Sequence, residues 1–76
     1  MPLYIVEDLQ SEEQILTDLD CDDINEALDY VEGTFRDMGF PGDRMSIEEV
    51  DKYHGYIRIN MPYGGHYDYE VGEDGK

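Results

Sequence analysis

The sequence predicts a small α+β domain: an antiparallel sheet in the order β-β-α-β-β-β, with one amphipathic helix packed on one face. Three observations predict it. The chain has 76 residues, the size of one small domain. Ile24, Ala27, Leu28, Val31, Phe35 and Met38 recur at helical spacing. Around that stretch, short segments alternate apolar and polar residues with the period of strands.

The first strand is LYIVED, Leu3 to Asp8, and QSEE turns the chain. QILTDLDC alternates again, with Ile15, Thr17, Leu19 and Cys21 on one face and Leu16, Asp18 and Asp20 on the other. It reads as a second strand antiparallel to the first, in competition with an amphipathic extension of the helix. The helix follows. Asp22 or Asp23 is its N-cap, and Glu26 stands three residues after Asp23 as in a capping box. Acids in the first turn also suit the helix dipole. Gly39 and Pro41 end it in the expected order. Gly33 lies inside it at a cost of about 1 kcal/mol relative to Ala.

Beyond GFPGD come RMSIEEV and YIRINM, joined by DKYHG, whose Gly55 suits a hairpin turn. Ile57, Ile59 and Met61 alternate with Tyr56, Arg58 and Asn60. PYGG is a further turn, and HYDYEV is the last strand, with Tyr67, Tyr69 and Val71 on one face. Residues 1–71 form the expected domain and 72–76 a flexible tail. The expected core is Ile5, Ile15, Ile24, Leu28, Val31, Phe35, Ile47, Ile57 and Ile59.

Charge is the strongest compositional signal. Twenty acids against five bases give a formal net charge of −15. The first 35 residues hold eleven of the acids and no Lys or Arg. Such self-repulsion destabilises a compact state, more than solubility requires. Disorder is opposed by seven tyrosines, two phenylalanines and the regular apolar period. Adaptation to high salt would also give an acidic chain; one alanine and six isoleucines fit it poorly.

Several functions are disfavoured. Cys21 is the single cysteine, so no intrachain disulfide forms, and a reducing compartment is expected. No apolar run approaches the roughly 18 residues of a membrane span. The N-terminal residues lack the basic flank of a signal peptide. A cytoplasmic location is therefore expected (the host cytoplasm, for a phage-encoded chain), with no membrane partner. DLDCDDINEALD puts Asp18, Asp20 and Asp22 at positions 1, 3 and 5 of a calcium loop. That loop needs Gly at position 6 and Glu at 12, where this chain has Asp23 and Asp29. Cys21, His54 and His66 lack the paired spacing of a zinc site. No metal and no cofactor are expected. Gly64-Gly65 has no Lys-Ser/Thr after it, so it is no phosphate loop. Direct nucleic-acid binding demands a basic surface. One helix on a small sheet offers little room for a deep catalytic pocket, so no enzyme activity is expected.

The acids themselves are the candidate site. Phosphates along a DNA strand are spaced by about 3.4 Å of axial rise, and by more through space. Carboxylates at i, i+4 on a helix are about 6 Å apart in rise. Those at i, i+2 on a strand are about 6.6 Å apart. Asp18 and Asp20 have the second spacing; Asp22, Glu26 and Asp29 approximate the first. Asp18, Asp20, Asp22, Asp23, Glu26, Asp29, Glu32 and Asp37 are thus expected to stand in for phosphates against Lys and Arg of a basic partner. The alternative is a protein-interaction module using Tyr53, Tyr56, Tyr63 and Tyr67 of the C-terminal strands, residue types enriched at interfaces.

An opening strand (LYIVEDL), one amphipathic helix (DDINEALDYVEGTFRDM) and trailing strands (RMSIEEV, YIRINM, HYDYEV) in a short acidic chain resemble small phage-encoded anti-CRISPR and anti-restriction inhibitors. Many of these are acidic DNA mimics. The resemblance lies in layout and charge across nearly the whole chain. It implies a non-enzymatic inhibitor that blocks the basic DNA- or RNA-binding cleft of a host defence complex. The implied partner is a CRISPR effector or restriction-type nuclease, bound by a monomer or dimer.

Overall fold

The computed structural model describes residues 2–74. Five strands and one long helix follow each other as expected: β1 (Leu3–Asp8), β2 (Glu13–Asp20), α1 (Ile24–Asp37), β3 (Met45–Glu49), β4 (His54–Asn60) and β5 (His66–Glu73), with a single 3₁₀ turn at Gly42–Arg44 before β3. All neighbouring strands are antiparallel, in the order β2-β1-β5-β4-β3. The helix lies on one face of the sheet, over β3, β4 and β5. The other face is open.

Helix α1 begins and ends as its sequence dictates. The Asp23 carboxylate accepts the Glu26 N–H at 2.9 Å, and Glu26 reaches back to the Asp22 N–H at 2.6 Å. Its far end is a Schellman motif. Gly39 adopts φ +101°, its N–H bonds the Arg36 carbonyl, and the Phe40 N–H bonds the Phe35 carbonyl. The Phe35 and Phe40 rings meet edge to face at 5.9 Å between centroids, closing the motif with an apolar contact.

The core is Tyr4, Val6, Leu19, Cys21, Ile24, Ala27, Leu28, Val31, Phe35, Ile57, Ile59, Tyr69 and Val71. Three expected core residues fall elsewhere. In LYIV both alternations are apolar, and the structure takes the other one: Tyr4 and Val6 are buried, while Ile5 lies on the open face. Ile15 is exposed because β2 carries two extra residues relative to β1. Tyr4 pairs with Leu19 but Val6 with Leu16 and Glu7 with Gln14, so the phase of β2 slips twice. Leu16 and Leu19 therefore both reach the core side. Ile47 pairs with Ile57 on the helix-bearing face, but β3 is the sheet edge and leaves it 40% exposed. Met38 is the C-cap, beyond the helical stripe, and is exposed.

Gly55 is not in the hairpin turn. It lies within β4, buried under α1, where an added Cβ would sit 2.7 Å from the Glu48 carbonyl oxygen and 3.0 Å from Leu28 Cδ1. The glycine lets helix and sheet approach. The turn is instead made by Asp51, whose carboxylate accepts the Tyr53 and His54 N–H groups. Strand β5 runs past residue 71: Gly72 pairs with Ile5, Glu73 with Tyr4, and the Asp74 N–H bonds the Leu3 carbonyl. Of the expected tail, residues 75–76 lie outside the described part.

Candidate functional site: the acidic β2–α1 junction

The burial of Ile24, Ala27, Leu28, Val31 and Phe35 forces the remaining positions of α1 outward. Glu26, Asp29 and Asp37 lie on the side opposite that stripe, by the 100° step of a helix, and Asp22 is exposed just before the N-cap. Asp18 and Asp20 stand on the exposed edge strand β2. The two groups adjoin at a notch of about 240 Å³ lined by Asp18, Leu19, Asp20, Cys21 and Tyr30. Asp18 has φ +60°, a backbone conformation that Asp tolerates better than most residues.

The eight predicted acids are not equivalent. Asp23 and Glu26 are engaged in capping the helix. Glu32 is ion-paired to Arg36, Oε2 to Nη2 at 3.0 Å, on the helix flank that faces the 3₁₀ turn. There the Arg36 guanidinium lies against Gly42. Among the described residues no hydrogen bond or ion pair engages the side-chain carboxylates of Asp18, Asp20, Asp22, Asp29 or Asp37. These five form the free part of the acidic surface.

The described cations are mostly committed elsewhere. Arg58 holds Asp68 with Nε 2.8 Å from Oδ1, and His66 Nε2 is 3.3 Å from Oδ2. The Arg58 hydrogen bond, with its charge and that of His66, keeps the Asp68 carboxyl below the usual carboxylate range. Asp51 is likewise lowered, first by the Tyr53 N–H and then by the N–H and ring of His54. Lys52 lies over the Tyr53 ring, 5.2 Å from its centroid. All of these are in the second half of the chain.

Cys21 sits at the base of the junction, buried. Burial first, then the charges of Glu26, Asp20, Asp22 and Asp23, push its thiol up. A raised thiol is a poor nucleophile. Among the described residues no group of three His, Cys, Asp or Glu side chains is arranged to hold a metal ion. Among the described residues no helix is long and apolar enough to cross a membrane.

The four predicted tyrosines are dispersed. Tyr53 is in the β3–β4 turn and Tyr63 in the β4–β5 turn, at opposite ends of β4. Tyr56 lies on the open face, where the charge of Glu70 raises its phenol. Tyr67 pairs with Ile59 on the helix-bearing face. The aromatic residue that does adjoin the acids is Tyr30, 56% exposed, which the periodicity of α1 placed on the outer side without marking it as part of a site.

In comparison with known proteins, no family model, no curated protein and no solved structure matches this chain.

Proposed function

We propose that this protein is a non-enzymatic inhibitor that presents carboxylates in place of nucleic-acid phosphates and occupies the basic DNA- or RNA-binding cleft of a host defence complex. One observation supports it above the others. Asp18, Asp20, Asp22, Asp29 and Asp37 stay free of cationic partners among the described residues, while Arg36 and Arg58 are paired at other places. An acidic surface serving only solubility gains nothing from such segregation, because interspersed charges repel less. The long dimension of the molecule, 39 Å, is close to one turn of duplex DNA, roughly 34–36 Å.

In this reading Asp18, Asp20, Asp22, Asp29 and Asp37 meet Lys and Arg of the target. Tyr30 offers its ring to a guanidinium entering the notch. Asp23 and Glu26 keep α1 in register, and Glu32 contributes least because Arg36 already neutralises it. The fast, salt-sensitive association of opposite charges follows.

The test is competition. The purified protein is titrated into a basic nuclease effector with and without duplex DNA. Mutual exclusion is expected, with affinity falling steeply as salt rises. Replacing Asp18, Asp22 and Asp29 together by Lys is expected to weaken binding at least about a hundredfold while the circular dichroism spectrum is kept. Simultaneous, independent binding of DNA and this protein would end the proposal.

A further inference from the structure

The two edges of the sheet are built differently. Strand β2, at one edge, slips register twice against β1 and has φ +60° at Asp18. Bulges of this kind twist an edge and spoil it as a template for another strand. Strand β3, at the other edge, pairs one to one with β4 from Met45↔Ile59 to Glu49↔Gly55, without a bulge.

The direction of its backbone groups follows from one bond. The Val50 N–H bonds the His54 carbonyl at 3.2 Å. Hydrogen-bonded and open pairs alternate along an antiparallel ladder. Glu48 and Ser46 therefore point their N–H and C=O groups inward at β4; the closeness of the Glu48 oxygen to Gly55 agrees. Ile47 and Glu49, in between, turn theirs outward. This leaves two donors and two acceptors in a row on a straight edge.

The side chains beside this row set what fits it. Glu48 and Ser46 project to the open face. There they wall a groove of about 500 Å³ whose floor includes Tyr56, Arg58 and Asn60. Glu48 lies in one cross-strand row with Tyr56, Glu70 and Glu7. Arg58 is held by Asp68, so the groove carries uncompensated negative charge next to β3. On the other face Ile47 is the partly exposed apolar neighbour of the edge.

We infer that the β3 edge accepts an extended segment of a protein partner by strand addition, a segment alternating basic residues toward Glu48 with apolar residues toward Ile47. Charge selects that occupant. A second copy would bring another −15 charges, and with them another Glu48 and Glu49, to the same edge. A basic strand gains where a like copy is repelled, which is specificity by exclusion. Main-chain bonds supply the affinity and alternate side chains the selection. The inference does not depend on the acidic β2–α1 junction, whose Asp18 and Asp20 stand on the opposite edge strand.

The experiment uses the whole chain labelled with ¹⁵N and two blocked hexapeptides, Lys-Val-Lys-Val-Lys-Val and Glu-Val-Glu-Val-Glu-Val. The basic peptide is expected to shift the amide signals of Ser46 to Val50 and to slow hydrogen exchange at the Ile47 and Glu49 amides; the acidic peptide is expected to do neither. Ile47→Pro removes the central outward donor without taking a bond from the β3–β4 ladder. It is expected to weaken the basic peptide at least about tenfold. A second variant, Glu48→Lys, keeps the backbone intact and is expected to weaken the same peptide. Shifts confined to α1, protection appearing on β2, or unchanged affinity in the Glu48→Lys variant would each overturn the inference. DNA competition at the acidic junction is expected to be the same in the Ile47→Pro and wild-type chains, which separates this surface from that one.

Discussion

The β2–α1 junction and the β4–β5 hairpin carry charge in opposite ways. In the hairpin, carboxylates are tied down: Asp68 by Arg58 and His66, and Asp51, in the turn that leads into it, by two backbone N–H groups and His54. In the junction two acids cap the helix, Glu32 pairs with Arg36, and the other five face water unpaired. Charge is part of the architecture in the first region and is tolerated in the second. The difference separates acids that hold the fold from acids that the fold does not use.

Mutations can break that comparison. The largest effect is expected from Phe35→Ala, since Phe35 contacts both Phe40 and Tyr69 beneath the helix. A loss of about 3–5 kcal/mol is expected from a buried aromatic, measured by urea denaturation; a loss below about 1 kcal/mol would mean that α1 is not held by its inner face. Next comes Asp23→Ala, which removes the N-cap. A cost of about 1 kcal/mol should lower Tm by about 4–8 °C in a domain of this size. An unchanged Tm would place Asp23 among the dispensable acids.

Asp68→Asn should cost less than the cap and should show itself in pH dependence. The folded carboxyl titrates below its ordinary value, so its stabilisation is complete above the unfolded value, about 3.9, and is lost as pH falls through the lower folded one. Urea midpoints at pH 6 and pH 3 are expected to differ less in Asp68→Asn than in wild type. A parallel acid limb in both would remove Asp68 from the architecture. The smallest effect is expected at the junction: Asp29→Asn with Asp37→Asn should leave stability unchanged or slightly raised, because self-repulsion falls. A clear drop in Tm would show that these acids do hold the fold.

The order of elements was legible because helix and strand periods differ and the caps are marked by Asp23, Glu26 and Gly39. Phase was less legible. LYIV has apolar residues on both faces, so alternation alone does not choose between Ile5 and its neighbours. QILTDLD reads as regular alternation, yet two extra residues in β2 turn Ile15 out and bring Leu16 in. Bulges depend on the partner strand, and the partner is invisible along one segment. Gly55 misled for a related reason: its role is set by Leu28, distant in sequence. For the site, the list of acids was legible. Which of them were already engaged was not, since the engagement of Glu32 depends on a rotamer of Arg36. Strand order, and with it the two unlike edges, came only from the structure.

That strand order has a kinetic consequence. Hairpins β1–β2 and β3–β4 are local, and β5 pairs with β4 across a short turn, but the β1–β5 ladder joins residues near the two ends of the described chain. An inner seam of the sheet is thus its most distant pairing in sequence. A partly folded chain holds a lone β1–β2 hairpin, which by itself is marginal at best, and the loop-closure entropy of the seam must be overcome before the sheet becomes continuous. Folding is expected to be all-or-none, with the amides of Glu7 and Glu70, which bond across this seam, exchanging at the single slow rate of global unfolding.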